Sequence, residues 1–168
     1  MRLVDAAGQV LELEIVGYQF PDSESIAKSR AKAVAGGLSA DRISYDTDAN
    51  WLLVRGEIET KRGSWKFRDP CLETREARSL CAWLQRAATG EPSGDLDFTE
   101  PNIAFEAPSA PTSGVSVRVT VKFALEARPP WSPRDDFEQS PVEFEFRPAD
   151  LVQAAADLSA ELAKYPER

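Results

Sequence analysis

Histidine is absent from this chain, and its absence narrows the possible functions more than any other feature of the composition. Histidine is the side chain best suited to proton transfer near neutral pH, and it is a common ligand of zinc. Catalysis by Ser-His-Asp or Cys-His groups is therefore excluded, and so is a zinc site built on histidine.

Cysteine is scarce, with Cys71 and Cys81 as the only two among 168 residues. If both lie on one helix, their ten-residue separation corresponds to about 15 Å of helical rise. Cα atoms joined by a disulfide are usually less than about 7 Å apart. Two reduced thiols are therefore expected, as is usual for a protein of the cytoplasm.

Long apolar segments are also missing. No run approaches the roughly 20 residues that span a bilayer, and no signal-peptide core follows Met1. The sequence therefore predicts a cytoplasmic protein with no membrane partner.

Positive charge is in short supply, since 20 Lys and Arg residues stand against 28 Asp and Glu residues, for a net charge of -8. Nucleic-acid binding depends on clustered Lys and Arg residues that contact phosphates, and this composition does not provide them. The composition argues against a nucleic-acid partner and favours a basic protein partner.

What the sequence does contain is strict alternation of apolar and polar residues, the pattern of half-buried strands. The clearest segment covers residues 115–125, where Val and Phe side chains alternate with Ser, Arg, Thr and Lys. Six further segments alternate over shorter lengths, centred near residues 13, 55, 66, 97, 104 and 144. About seven strands are predicted, with antiparallel pairing.

Two amphipathic helices are predicted, over about 70–88 and 148–164. Asp69 is the expected N-cap of the first helix, Pro70 its first residue, and Gly90 and Pro92 its stop. The second helix begins at Pro148 with an apolar stripe along one side. Each helix follows directly on a strand, so the chain reads as two halves of similar order.

Together these elements predict a single α+β domain over residues 1–168, either one twisted antiparallel sheet or a small sandwich with two helices packed on it. Residues 21–49 form an insertion that is either a loop or a short helix ending near Gly36. Residues 127–141 form a proline-rich loop, because four prolines there oppose regular structure.

No catalytic group, metal site or cofactor site is predicted. Residues 46–57 place oxygen-bearing side chains at several EF-hand positions, but Trp51 occupies the position that requires Gly. Cys71 at a helix start would have a lowered pKa, yet packing against a sheet is the commoner role. Carboxylates spaced by two, such as Glu143 and Glu145, are usually a solvated strand face.

A candidate partner-binding site lies near the end of the chain. Trp131 is embedded in a proline-stiffened loop that is followed by acidic residues, and aromatic anchors on pre-ordered loops are typical of binding hot spots. The predicted contact residues are Trp131, Asp135, Asp136, Glu143 and Glu145. The alternative is that Trp131 folds back and caps the core. Trp51 and Leu53 also leave an apolar patch on the outer face of their strand, which either another segment or a partner covers.

Six short blocks carry a resemblance to a known family, in the same order along nearly the whole chain. They cover residues 16–21, 48–52, 63–72, 83–84, 129–131 and 164–168, and residues 65–72 are the most specific of them. The chain resembles the WapI-type immunity proteins. The resemblance implies a cytosolic bacterial protein that binds and blocks a cognate toxin, and it brings no catalytic residues with it.

The function expected from the sequence is therefore a non-catalytic domain that binds a basic toxin domain, in an oligomeric state that the sequence does not specify. Two alternatives stay open. One is a structural or small-molecule-binding domain, with an apolar ligand near Trp51 and Trp65. The other is an enzyme that uses carboxylates with Tyr18 or Cys71, which would require a carboxylate of strongly raised pKa in a deep pocket.

Overall fold

Two antiparallel meanders of four strands make up most of the protein, and each meander is followed by a helix. The computed structural model describes residues 1–37, 48–91, 93–107, 116–133 and 138–168. The first half consists of β1 (Arg2–Val4), β2 (Val10–Tyr18), α1 (Ser23–Ala35), β3 (Trp51–Thr60), β4 (Gly63–Glu73) and α2 (Thr74–Thr89). The second half consists of β5 (Asp95–Leu96), β6 (Ile103–Glu106), β7 (Val117–Phe123), β8 (Ser140–Phe146) and α3 (Pro148–Leu162). We refer to β1–β4 as the first sheet and to β5–β8 as the second sheet.

The predicted α+β fold with antiparallel strands is confirmed, since neighbouring strands in both sheets run antiparallel. The long alternating segment near residue 120 forms β7. Its valines and Phe123 are buried while Arg118 is exposed, as the period of two requires. The described part of the chain has eight strands, one more than expected, because the three-residue strand β1 is too short to show alternation.

Both sheets bury one face in the same hydrophobic cluster, which also includes α2 and α3. Trp83 of α2 is fully buried, and its ring centroid lies 5.7 Å from that of Phe105 in β6. The Trp83 indole N–H donates to the carbonyl of Gly94 at 2.9 Å. This tryptophan therefore places the second half of the chain against the helix that ends the first half. None of the helices in the described ranges combines the length and hydropathy of a membrane span.

The first predicted helix begins later than expected, at Thr74 instead of residue 70. Asp69 and Pro70 lie in β4, and Leu72 continues the ladder opposite Leu52. The helix start is fixed by a capping box in which Glu73 and Glu76 each accept a backbone N–H from the other's position. The helix start predicted from Asp69 and Pro70 was wrong, because Cys71 and Leu72 are buried as part of β4. Their exposed fractions are 0% and 2%, and this burial keeps the segment extended.

The insertion at 21–49 contains a helix, α1, capped by Asp22, whose carboxylate accepts the Ser25 N–H at 2.7 Å. Most described side chains of α1 are exposed. Residues 38–47 lie outside the described residues. The two ends of the insertion are held together by the Arg168 guanidinium, which donates to the carbonyls of Phe20, Pro21 and Ala49. The same guanidinium lies 3.7 Å from the centroid of the Tyr18 ring.

The expected proline-rich loop at 127–141 ends two residues early, because β8 begins at Ser140 and includes Pro141. Pro141 lies on an edge strand, where a missing N–H costs no ladder hydrogen bond if it points away from the neighbouring strand. A short 3-10 turn, Leu125–Ala127, precedes the loop.

The turn between β1 and β2 joins the two sheets. Asp5 is 8% exposed, and its carboxylate accepts the backbone N–H groups of Ala7 and Gln9, each at 2.8 Å. The ordered turn then donates to the free edge of β8, from Ala6 N to the Glu145 carbonyl at 3.2 Å and from the Gln9 side chain to the Glu143 carbonyl at 3.1 Å. Burial raises the pKa of Asp5, but the hydrogen bonds outweigh it and leave the pKa below its usual value.

We expect Asp5→Ala to lower the free energy of unfolding by about 2 kcal/mol at pH 7, since two backbone donors lose a charged acceptor. Because the folded-state pKa of Asp5 is lowered, its contribution is present above the unfolded pKa and is lost as pH falls through the folded value. Urea unfolding at pH 7 and pH 2.5 should therefore show a smaller difference between variant and wild type at the lower pH. An equal difference at both values would contradict this role.

Candidate functional site

A surface groove runs between the β3–β4 turn, the segment 129–133 and β8, and it encloses about 440 Å³. Its walls include Lys61 and Arg62 from the turn, Trp131 from the loop, and Glu138 and Glu143 from the second half of the chain. Two of the predicted contact residues, Trp131 and Glu143, therefore line the same groove. We call it the Trp131 groove.

Trp131 is half-buried, so its ring contacts the core and is also partly accessible from the groove. One side of its ring packs edge-on against Trp65, with centroids 5.4 Å apart and planes at 83°. The Arg62 guanidinium lies 5.7 Å from the ring centroid on the groove side. The indole thus contacts the core and also lines a surface that a partner can reach.

The position of Trp131 depends on a glycine. Gly63 has a φ of 150°, and a Cβ atom placed there would lie 2.7 Å from the Trp131 ring. Only glycine permits both this backbone conformation and this approach. The loop is further tied to β8 by the Ser140 hydroxyl, which donates to the Ser132 hydroxyl at 2.6 Å. Trp131 is therefore held in place before any partner arrives.

Glu143 and Glu145 point outward from β8, on the exposed side of the second sheet. Glu145 pairs with Arg118 of the neighbouring strand at 3.4 Å. Within the described ranges, no ion pair to Glu143 is present. Both residues also line a second depression beside the β1–β2 turn, together with Lys61 and Arg118. Asp135 and Asp136, the other two predicted contact residues, lie outside the described residues.

A third concave surface, of about 450 Å³, lies at the start of β3, and sequence reasoning did not identify it. Its walls bring together Phe20, Trp51, Asp69, Glu100 and Glu126. Trp51 was recognised as an apolar residue on an outer strand face, and here it is half-buried at the edge of this pocket. The three carboxylates could not be grouped from the sequence, because they come from β4, the β5–β6 turn and the 3-10 turn.

Asn102 organises the carboxylates of this pocket. It is 1% exposed, and its amide donates to Asp69 at 3.3 Å and to Glu126 at 3.1 Å. Burial raises the pKa of Asp69, and the negative charges of Glu126 and Glu100 raise it further. The ionised form of Asp69 in this pocket is thus unfavourable for the folded state.

The groups named for an enzyme do not form a reactive constellation. Cys71 is completely buried in β4, and burial raises the pKa of its thiol, which disfavours the thiolate. The Tyr18 hydroxyl donates to the Pro166 carbonyl, and the Tyr18 and Tyr165 rings pack edge-on with centroids 5.6 Å apart. Trp65, proposed near an apolar ligand, is instead enclosed by the rings of Phe123 and Trp131. No cluster suited to a metal ion occurs among the residues described.

A model of the immunity protein WapI-like family matches residues 2–166. No curated protein and no solved structure is significantly similar to the chain.

We expect Trp131→Ala to lower the free energy of unfolding by about 2 kcal/mol, less than the loss of a fully buried tryptophan, because the ring is only partly buried. Trp131→Phe, which keeps an aromatic edge against Trp65, should cost less than about 1 kcal/mol. Urea unfolding of both variants measures the difference. An unchanged stability of Trp131→Ala would show that the contact with Trp65 contributes nothing to the fold.

Asp69→Asn should raise the urea midpoint at pH 7, because the ionised carboxylate opposes folding when its folded-state pKa is raised. The gain should shrink as pH falls through that raised pKa, since the wild-type carboxyl then becomes neutral too. Asp157→Asn, an exposed position on α3, is the matched control and should change stability little. A loss of stability in Asp69→Asn at pH 7 would contradict the argument.

Proposed function

Because the chain belongs to the immunity protein WapI-like family, we propose that it binds a cognate bacterial toxin and blocks it, and that it catalyses no reaction itself. The observation that carries the proposal is the Trp131 groove, which is lined by a pre-positioned indole and by Glu143. Rigid aromatic side chains that are already ordered before binding lose little entropy in a complex and are typical hot-spot residues.

The proposed partner is a basic toxin domain, met in the cytoplasm of the cell that makes this protein. A net charge of -8 accelerates encounter with a positively charged partner and disfavours acidic ones. We assign the contact to Trp131, Glu143 and Glu145 together with Asp135 and Asp136, which follow Trp131 closely in sequence.

The enzyme alternative loses support from the burial of Cys71 and from the structural role of Tyr18. The alternative of an apolar ligand loses support from the enclosure of Trp65 and from the carboxylates beside Trp51. Protein binding is the function that agrees both with the family membership and with the accessible residues that line the Trp131 groove.

The test is coexpression with the toxin encoded beside this gene. Wild-type protein should restore growth and bind the catalytically inactivated toxin domain in calorimetry. Glu143→Lys should weaken binding at least about tenfold, because it places a positive charge against a basic partner, and the loss should diminish at high salt.

The matched control is Glu59→Lys, which makes the same charge change at an exposed position on the first sheet. It should leave binding within about twofold, since the overall charge steers encounter only weakly compared with a contact charge. If the wild-type chain neither rescues growth nor binds the neighbouring toxin, the proposed function is wrong.

A further inference from the structure

The outer face of the second sheet carries a row of aligned polar side chains that reaches from β5 to β8. Asp95 lies opposite Glu106, Glu106 opposite Thr120, and Thr120 opposite Glu143. Since neighbouring strands are about 4.8 Å apart, the row is roughly 14 Å long. Asp95 and Glu143 are exposed, and the side chain of Glu106 is 45% exposed. Glu143 also lines the Trp131 groove, so the two surfaces are continuous.

Negative charge is in excess on this face. Asp97 follows Asp95 at the same strand parity, and Glu145 follows Glu143, so that five carboxylates share the face with the two cations Arg118 and Lys122. Lys122 pairs with Glu106 at 3.0 Å and also lies in the field of Asp95 and Asp97. The positive charge of Lys122 thus interacts with three carboxylates.

The outer face of the first sheet has a different charge pattern. Its four carboxylates, Glu12, Glu14, Glu57 and Glu59, share the face with four cations, Arg2, Arg55, Lys66 and Arg68. Glu12 and Glu57 lie directly opposite each other, but each of these two acids has a cation of its own. Arg2 lies 3.3 Å from Glu12, and Lys66 lies 2.7 Å from Glu57. The outer face of the first sheet therefore has as many cations as acids, whereas the outer face of the second sheet has more acids than cations.

The row is only partly compensated by the cations of the sheet, which is unfavourable for the fold itself. Like charges directly opposite each other on neighbouring strands are destabilising, and Asp95 and Glu106 are such a pair. Within the described ranges Glu106 pairs with Lys122 while Asp95 forms no ion pair, whereas Glu12 and Glu57 on the first sheet each have a cation. The first sheet shows that this chain can balance a strand face with cations. The acids of the second sheet thus outnumber the cations that the sheet itself supplies, which leaves an external partner as the group that would compensate the excess.

We propose that the interface with the toxin extends beyond the Trp131 groove across the outer face of β5–β8, where Asp95, Asp97 and Glu106 receive Lys or Arg side chains of the toxin. This inference rests on the proposed function and specifies which face is used. A second copy of the chain does not fit, because two such faces repel each other. A single metal ion does not fit either, because no group of three acids placed to hold one occurs among the described residues.

The experiment compares two triple variants with the same change in net charge. The first, Asp95→Asn with Asp97→Asn and Glu106→Gln, neutralises the row on the second sheet. The second, Glu12→Gln with Glu57→Gln and Glu59→Gln, neutralises three acids on the outer face of the first sheet. Affinity for the inactivated toxin domain encoded beside this gene is measured by calorimetry at low and high salt, with urea unfolding to verify that each variant is folded.

The row variant should bind about tenfold more weakly at low salt, with a flatter salt dependence, while the control stays within about twofold of wild type. Lys122→Gln should act in the opposite direction and tighten binding about threefold, because it frees carboxylates for the partner. If wild type binds and Glu143→Lys weakens binding, but the row variant binds like wild type, this inference is wrong and the proposed function stands. If wild type does not bind the toxin, the proposed function fails and this inference fails with it.

Discussion

The buried indole of Trp65 is the contact on which the rest of the arrangement depends. It belongs to β4 of the first sheet, its N–H donates to the Ala127 carbonyl at 2.8 Å, and its ring packs edge-on against Phe123 of the second sheet at 5.1 Å. Trp131 then packs against the other side. One side chain therefore joins the two sheets and also fixes the half-buried Trp131 ring that we place in the interface, so the core packing positions the proposed binding surface.

The outer faces of the two sheets differ in their balance of acidic and basic residues. Charged residues on the outer face of the first sheet form ion pairs across strands, and that face has as many cations as acids. The outer face of the second sheet has more acids than cations and adjoins the groove that holds Trp131. Functional surfaces commonly reduce the stability of a protein, because a residue that is left unpaired for a partner does not stabilise the fold.

Much of the fold could be predicted from the sequence where local pattern and tertiary packing agree. The alternation around residue 120 predicted β7 because its period of two coincides with a buried and a solvated face. The start of α2 was predicted wrongly because Asp69 and Pro70 give a strong local helix signal, while Cys71 and Leu72 gain more by continuing β4 into the core. The grouping of Asp69, Glu100 and Glu126 was invisible, since only the fold brings three distant segments together.

The most direct test of the central claim is a titration of the isotope-labelled protein with the inactivated toxin domain, followed by backbone amide chemical shifts in NMR spectra. The account predicts that the perturbed amides cluster on β5–β8 and around residues 129–133, while those on the outer face of β2 and β3 stay unchanged. Perturbations concentrated on the first sheet or on α1, with the second sheet silent, would contradict it.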